Sequence, residues 1–278
     1  MDLKLFIPQH TLLKKYIDYF YILHKPALSE SISYYTFPHI NSVISINQYP
    51  EFIIEKTKLI VNSNKKNPVL STLICNYTKP IKIVIPGFIH EITISFKPLG
   101  LNAFLAGNLC DYTGSSFSYF DPFEDFKATM NDILNIKKEK EKEKIKKLET
   151  YLLSKYRGFE HPFLDNVIND MIQADNNYTI ESLARKYNIS RKTLCKHFEW
   201  HVGKTPTELR KIIRFRQAMQ QQMHINPKSR LSDITYQLDF FDQSHLIKDF
   251  KSITGYTPKV FFKKVSPLEG GNINWMYL

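Results

Sequence analysis

The sequence has few cysteines and no familiar catalytic motif. Its three cysteines, Cys75, Cys110 and Cys195, are widely spaced along 278 residues, which predicts neither a disulfide framework nor a four-thiolate zinc site. This usage is typical of proteins in the reducing cytosol. The P-loop, the glycine pattern of dinucleotide-binding folds, G-x-S-x-G and H-E-x-x-H are all missing. With nine histidines scattered along the chain, we expect no enzyme activity, no cofactor and no metal ligands.

Long apolar runs are also missing. No window approaches the roughly 18 consecutive apolar residues that a membrane-spanning helix needs. Residues 1–5 lack the apolar stretch of a signal peptide, and Asp18 and Lys25 interrupt the nearest candidate. We therefore expect a cytoplasmic protein with no membrane partner.

Positive charge is concentrated near the C-terminus. Residues 179–264 hold 17 Lys and Arg against 7 Asp and Glu, whereas the whole chain holds 38 against 27. The rest of the chain is nearly neutral, with 21 basic and 20 acidic residues. A basic balance confined to one region predicts a polyanionic partner at that region.

One pattern occurs twice within this basic region. Four landmarks recur 52 residues apart: Leu194 and Leu246, Phe198 and Phe250, Gly203 and Gly255, Pro206 and Pro258. Upstream the spacing falls to 51, which matches Leu183 with Ile234, Tyr187 with Leu238 and Ile189 with Phe240. One extra residue in the second turn explains the difference. Two units in register indicate an internal structural repeat.

Each unit has the pattern of two helices joined by a tight turn. In the first unit Thr179 is a good N-cap, Asn188 suits a sharp turn, and Ser190 caps a second helix. Leu194 and Phe198 are four apart and face inward, which leaves Arg191, Lys192, Cys195 and Lys196 facing outward. In the second unit Asp242 takes the cap position, and the outward residues are Gln243, Ser244, Ile247 and Lys248. Such a second helix fits a DNA major groove.

The second unit also carries a more specific pattern. Residues 234–240 read ITYQLDF, residues 242–246 read DQSHL, and FK and GYTP follow at 250–251 and 255–258. Over roughly residues 160–264 the chain resembles the AraC/XylS family of transcription regulators. Asp239 departs from the glycine usual there, and Asp occupies such a turn at some cost in strain. The resemblance implies DNA contacts from both second helices, with His245 either touching DNA or supporting the helix start.

A connector helix is predicted between the two units. Thr205, Pro206 and Glu208 form a capping box with proline at the first helical position. The helix is expected to run to about residue 223, before Pro227 stops it, and its ~25 Å length suits recognition helices about 34 Å apart.

The N-terminal part is predicted to be mostly β. Residues 39–46, 51–62, 72–77, 81–85 and 88–96 are rich in β-branched and aromatic residues, with turn signals between them. The segment FKPLG at 96–100 ends the last strand and is followed by a short predicted helix at 101–106. A strand ending in F-x-P-x-G resembles the N-terminal domain of one branch of the same family. That resemblance implies a barrel or sandwich that binds an effector or dimerises.

Residues 123–157 are predicted to be helical. The Lys- and Glu-rich stretch at 137–147 has two interpretations, an auxiliary DNA- or membrane-binding stripe or a solvated helix held by Glu139–Lys142, Glu141–Lys144 and Glu143–Lys147 pairs. Sparse apolar spacing favours the solvated helix. Residues 161–176 follow as the first helix of the DNA-binding domain. The tail at 266–278 either packs on the protein or stays mobile.

The predicted fold is an α+β chain of two domains. Residues 1–157 form a β-rich barrel- or sandwich-like domain with flanking helices, residues 158–265 an all-α domain with two helix-turn-helix units, and residues 266–278 a tail. We predict a transcription regulator that binds double-stranded DNA sequence-specifically. Its N-terminal domain senses a small-molecule effector, forms a homodimer, or both, and RNA polymerase is a further partner if the protein activates. The alternative is a redox- or metal-responsive DNA-binding sensor that uses Cys75 or Cys195.

Overall fold

The computed structural model describes residues 1–114, 117–173, 178–220, 243–267 and 274–277, and the chain divides into two compact units. The first unit contains Met1–Ser33, Asn41–Asn76 and Ile83–Glu160. The second contains Tyr34–Ile40, Tyr77–Lys82 and His161–Leu278. Two short N-terminal segments are therefore grouped with the C-terminal part, while the domain limits inferred from sequence stay a prediction.

A six-stranded antiparallel sheet forms the framework of the first unit. Its strand order is β1-β2-β9-β4-β7-β10, so β1 and β10 are its edges and this sheet stays open. The strands are β1 Asp2–Phe6, β2 Ile17–Lys25, β4 Ser42–Gln48, β7 Val69–Ile74, β9 Ile89–Phe96 and β10 Ser118–Tyr119. The predicted β-rich domain is confirmed, and its main sheet is not a closed barrel.

The two faces of this sheet have different chemistry because side chains alternate along each strand. One face is apolar and joins the helices in a core that includes Phe20, Ile44, Ile46, Ile92 and Ile94. The opposite face carries buried polar side chains on four adjacent strands: Tyr21, Ser45, Asn47, Thr72, Glu91 and Thr93. Burial of so many polar groups on one face of a sheet is unusual for a domain core, which makes this face a candidate functional site.

A hairpin adds two further strands to the first unit. Strand β5 Pro50–Glu55 pairs antiparallel with β6 Lys58–Ser63, so the single strand predicted at 51–62 is in fact two strands with a turn between them.

Strand β8, Ile81–Ile85, has the predicted bounds. Strands β1 and β2 and helix α1, Thr11–Tyr16, were not predicted. The β2 sequence IDYFYILHK is apolar on both faces of the strand, so it shows little alternation.

Gly100 explains the F-x-P-x-G segment. A Cβ atom at this position would lie 2.1 Å from the carbonyl oxygen of Tyr16, so only glycine allows the two backbones to approach. The preceding residue, Leu99, has a φ of 63°, and a 3₁₀ turn at Gly100–Ala103 replaces the helix predicted at 101–106. The motif thus fixes the end of β9 against the end of α1.

The Lys- and Glu-rich stretch is only partly solvated. It spans a 3₁₀ turn and the start of α3, Glu141–Ser154, which packs with α2, Phe126–Leu134. The predicted Glu143–Lys147 pair is present at 3.9 Å, but Glu141 pairs with Lys4 at 2.8 Å instead of Lys144. Lys144 is fully buried, and its ammonium donates to the Leu134 carbonyl at 3.1 Å and to His90 Nε2 at 2.9 Å. The stretch is therefore a structural element of the first unit.

The second unit is mainly helical. Its helices are α4 Leu164–Gln173, α5 Ile180–Lys186, α6 Arg191–Val202, α7 Pro206–Gln220, α8 Gln243–Thr254 and α9 Pro258–Lys264. The predicted inward face of α4, Leu164, Val167, Ile168 and Met171, is buried. Two short strands near the C-terminus, β11 Ser266–Pro267 and β12 Asn274–Tyr277, pair with each other. Strand β12 also pairs with residues Tyr34–Thr36 of strand β3, which spans Ile32–Thr36. Among the described residues, no helix has the length and apolar character needed to cross a membrane.

An aromatic core joins the second half of this unit. Phe215 on α7, Phe250 on α8 and Phe261 on α9 pack edge to face, with ring centroids 5.1–5.9 Å apart. Phe37 completes the cluster from far upstream, 4.9 Å from Phe261, and is fully buried. Arg216 donates to the carbonyls of Phe37 and Pro38 at 2.6 and 2.8 Å, which holds this short N-terminal segment in place.

Candidate nucleic-acid interface

The first helix of the first helix-turn-helix unit, α5, begins at its predicted cap. The Thr179 side chain accepts from the Ser182 backbone N–H at 2.9 Å, and the Ser182 hydroxyl accepts from the Thr179 N–H at 2.9 Å. Leu183 and Ala184 are buried on the inner side of α5. Asn188 then turns the chain with a φ of 54°, a conformation that asparagine tolerates better than most residues. The turn is therefore fixed by local sequence.

The second helix, α6, begins at the predicted Ser190 cap. The Ser190 hydroxyl oxygen accepts from the Thr193 backbone N–H at 3.0 Å. Leu194 and Phe198 are fully buried, as their spacing predicts. Gly203 ends the helix with a φ of 70°, and its N–H donates to the Phe198 carbonyl at 3.1 Å. These contacts orient the outer face of α6 relative to α5.

The outer face of α6 carries the positions proposed for DNA contact. Arg191, Lys192 and Lys196 are exposed, whereas Cys195 is half-buried. The Arg191 guanidinium is not free, because Nη1 lies 2.6 Å from Glu181 Oε1 on α5. The Lys196 ammonium lies 4.4 Å from the centre of the Trp200 ring, a cation–π arrangement that orients it along the helix.

The connector helix α7 starts with the predicted capping box. The Glu208 backbone N–H donates to Thr205 Oγ1 at 3.2 Å, and the Thr205 N–H donates to Glu208 Oε2 at 2.9 Å. The apolar side of α7 is buried, with Leu209, Ile212 and Ala218 each at most 2% exposed. Its predicted end near residue 223 lies outside the described residues.

The second helix-turn-helix unit is described only from the start of its second helix, α8. Lys248 is exposed and Ile247 is half-buried, while Phe250 and Ile253 face the core. Gln243, Ser244 and His245 lie in the first turn of α8, but their side chains lie outside the described residues. The same holds for the first helix, its turn and the Asp242 cap.

The segment that follows α8 repeats the geometry at the end of α6. Gly255 has a φ of 78°, matching the positive φ of Gly203 in the first helix-turn-helix unit. The Thr254 hydroxyl donates to the Phe250 carbonyl at 2.7 Å and accepts from the Tyr256 N–H at 3.0 Å. Pro258 then starts α9 at the position that Pro206 takes in α7. From the second helix of each unit onward, the repeat found in the sequence is thus present in the backbone of the described residues.

The described part of the structure does not bring the cysteines together. Cys75 is 1% exposed in the apolar core of the first unit, and Cys110 and Cys195 are half-buried. In the described part of the chain, the one group of side chains arranged to hold a metal ion contains no cysteine. The alternative of a redox or metal sensor based on Cys75 or Cys195 is therefore not supported.

That group consists of three of the nine histidines that lie scattered along the sequence. His197 and His201 lie four apart on α6, and His161 precedes α4. The His161 Nε2 atom lies 3.0 Å from His197 Nδ1. Burial lowers the pKa of all three rings, that of His161 to about 4 with added repulsion from His197 and His201. The i, i+4 spacing of His197 and His201 is the sequence signal that could have indicated part of this cluster.

Comparison with known proteins agrees with the helix-turn-helix geometry. Residues 183–264 match a family model described as a helix-turn-helix domain. An uncharacterized HTH-type transcriptional regulator of Bacillus subtilis (strain 168), YdeC, is 28% identical over 88 residues. That match covers 32% of this chain and 29% of the relative, so less than a third of the relative's length is matched.

Solved structures of ToxT from Vibrio cholerae also align with the chain. A 1.65 Å structure aligns at a TM-score of 0.46 and 12% identity, covering 88% of this chain and 97% of that one. A structure of wild-type ToxT from strain SCE256, bound to an unsaturated fatty acid, aligns at 0.45 and 14% identity, covering 87% and 94%. A likeness of this degree gives no information on the ligand or activity of this chain.

Proposed function

We propose that this chain is a transcription regulator that binds double-stranded DNA sequence-specifically, because residues 183–264 match a helix-turn-helix domain and their sequence resembles the AraC/XylS type. Helices α6 and α8 each enter a major groove. The observation that carries the proposal is the geometry of α6, whose Ser190 cap and buried Leu194 and Phe198 leave Lys192 and Lys196 on an exposed face.

Base recognition is assigned to the outward residues of the two helices. On α6 these are Lys192, Cys195 and Lys196, and on α8 they are Gln243, Ser244, Ile247 and Lys248. Lysine pairs naturally with guanine and glutamine with adenine, because their donors match the atoms those bases show in the major groove. Half-buried Ile247 suits an apolar contact, such as a thymine methyl group. His245 touches DNA or supports the start of α8.

Phosphate contact is assigned to the start of α6. Backbone N–H groups at a helix N-terminus favour an anion, and Ser190 and Arg191 stand there. A phosphate at this position must compete with Glu181 for the Arg191 guanidinium, because the two side chains already form an ion pair. The salt dependence of binding measures how far this exchange proceeds.

The first unit is proposed to bind a small polar effector on the buried polar face of its main sheet. Glu91 there accepts from the Tyr21 hydroxyl at 2.8 Å and from the Thr93 hydroxyl, and burial raises the pKa of its carboxyl group. Asn47 Oδ1 and Thr72 Oγ1 are buried without a hydrogen-bond partner among the described residues. Unsatisfied buried polar atoms are rare, and a ligand with hydroxyl or amide groups would satisfy them.

Two further roles stay predictions. A homodimer through the first unit would raise affinity by engaging two DNA sites at once. Contact with RNA polymerase follows only if the protein activates transcription. The mass of the full chain in solution and transcription from a bound promoter test these roles separately.

Salt titration of DNA binding tests the proposal. We expect the affinity of the full chain for a duplex selected from a random pool to fall steeply with salt, with Lys192→Ala lowering it. Lys56→Ala removes the same charge from an exposed site on the first unit and is expected to leave affinity unchanged. Equal losses in the two variants, or no selected duplex at all, would overturn the proposal.

A further inference from the structure

Three histidines of the second unit face one another across the junction between α4 and α6. One ring nitrogen from each of His161, His197 and His201 lies within 4.8 Å of the others. The rings of His197 and His201 are nearly parallel, at 22° and 6.2 Å, as their positions one turn apart on α6 require. The DNA-binding function proposed above uses none of these side chains.

The spacing fits a metal ion bound by imidazoles. Tetrahedral zinc with Zn–N bonds of 2.0–2.1 Å places its ligand atoms about 3.4 Å apart. His161 Nε2 and His197 Nδ1 lie 3.0 Å apart, and one nitrogen from each of the three rings lies within 4.8 Å of the others. Small side-chain rotations are therefore sufficient to bring the three nitrogens to the spacing of zinc ligands. All three residues are half-buried, which leaves room for solvent to reach a fourth position.

A hydrogen-bond network competes with a metal at this place. His161 Nδ1 accepts from the Leu164 N–H at 3.2 Å and from the Phe163 N–H at 3.4 Å, so it caps α4. With Nδ1 as acceptor, the proton of the neutral ring lies on Nε2 and points to His197 Nδ1. A metal on Nε2 would displace that proton to Nδ1 and end the capping. Metal binding is therefore coupled to the start of α4.

We propose that His161, His197 and His201 form a zinc site with an open fourth position for water. Three imidazole ligands and one open position are a known zinc arrangement, and imidazole suits Zn²⁺ well. Two ligands lie on α6, the proposed recognition helix, and the third lies outside it. Bound zinc would therefore fix α6 to the start of α4 and change how the outer face meets DNA.

Equilibrium dialysis of the full chain against Zn²⁺ alone tests the site. We expect one zinc ion per chain, with affinity reduced in His161→Asn, His197→Gln and His201→Gln. Because loss of even an outer partner of a metal ligand costs ~10–100-fold, loss of a direct ligand should weaken binding at least about tenfold. The asparagine at 161 keeps an acceptor for the α4 cap. His10→Asn and Cys110→Ser serve as controls for binding of zinc by other histidine and thiol groups, and both should retain full affinity.

Tryptophan fluorescence distinguishes a zinc-binding site from a cluster of packed aromatic rings that binds no metal. The Trp200 ring lies 5.2 Å from the His197 ring, and Trp275 is the other tryptophan of the chain. In a Trp275→Phe background, Zn²⁺ should change Trp200 fluorescence with the same midpoint as dialysis, and His201→Gln should abolish the change. Thermal melting without metal shows that each variant folds. A folded wild-type chain that binds no zinc, or equal binding by wild type and His197→Gln, would overturn the proposal.

The DNA-binding assay separates the test of the zinc site from the test of the proposed DNA-binding function, on which the role of α6 rests. If zinc binds, we expect the affinity for a selected duplex to change with Zn²⁺ in the wild type and not in His161→Asn. Zinc binding without any selected duplex would contradict the DNA-binding proposal and leave the metal site standing. DNA binding without zinc binding would contradict only the metal site.

Discussion

Arg191 and Glu181 form an ion pair across the two helices of the first helix-turn-helix unit, with Nη1 2.6 Å from Oε1. Both side chains are well exposed, at 61% and 50%, so the pair adds little to stability. We expect the ion pair to affect DNA binding instead. The carboxylate of Glu181 holds the arginine that stands beside the start of α6, and any phosphate must displace it.

Release of Arg191 is expected to strengthen DNA binding. In Glu181→Gln the guanidinium becomes available to phosphate, so affinity should rise and the logarithmic salt slope should steepen by about 0.9. The melting temperature should stay nearly constant. Glu199→Gln removes the same charge from an exposed position on α6 and releases no arginine. Equal salt slopes in the two variants would show that only net charge matters.

The Ser190 cap is expected to affect stability and binding separately. Ser190→Ala should lower the stability of the second unit by about 1 kcal/mol, because the Thr193 N–H loses its acceptor. Ser190→Asp keeps a capping oxygen and should retain stability, but its charge should repel a nearby phosphate and weaken DNA binding. Thermal melting and DNA titration measure the two effects. Full DNA affinity in the folded Ser190→Asp variant would place the phosphate elsewhere.

Such local features of the second unit could be predicted from sequence. The caps at Thr179, Ser190 and Thr205 and the turn at Asn188 depend on a side chain and backbone groups within three residues. The buried pairs of α4 and α6 follow from helical periodicity. The exposed DNA-contact positions follow from the same periodicity, although their contacts with DNA stay a prediction.

Features set by distant residues could not be predicted. Strand β2 pairs with β1 and β9, and its burial on both faces hides the alternation that marks a strand. Lys144 seemed solvated because its neighbours are charged, but His90 and Leu134 give it partners inside the core. His161 meets His197 and His201 only after α4 and α6 pack together. In each case the decisive neighbour lies ten or more residues away.

Lys144 predicts a stability change in alkaline solution. Burial lowers its pKa in the folded protein from 10.5 to about 8, so between these values the unfolded chain binds more protons. The stability of the first unit should therefore rise as pH increases from about 8 to 10.5. Buried Lys25, whose pKa is also lowered, contributes in the same direction. Denaturant melts of wild type and Lys144→Met should differ in this slope, and equal slopes would contradict the account.

His90 predicts a change of folding stability in acidic solution. Burial and the nearby Lys144 ammonium lower its pKa from 6.5 to about 3, so the unfolded chain binds more protons below pH 6.5. Stability from this group should be complete above pH 6.5 and should decrease as the pH falls toward 3. His90→Gln should flatten the acidic part of the profile, and an unchanged acidic slope in this variant would contradict the account.

Phe37 is expected to stabilise the helical unit despite its N-terminal position. Phe37→Ala removes a fully buried ring from the cluster with Phe215 and Phe261, which should cost about 3–5 kcal/mol. Phe52→Ala, at a half-buried position in β5, should cost less. Hydrogen exchange of α7, α8 and α9 locates the effect. Unchanged protection of these helices in Phe37→Ala would show that the ring does not belong to their core.

Selection of binding sites by helix-specific variants tests the central claim most directly. The full chain, Lys192→Ala and Lys248→Ala would each select sequences from one random duplex pool. The account predicts a wild-type motif of two elements about 10 base pairs apart, with Lys192→Ala relaxing one element and Lys248→Ala the other. Each loss should cost about 1–3 kcal/mol at one base pair. Weaker binding with an unchanged motif in both variants would contradict sequence recognition by α6 and α8.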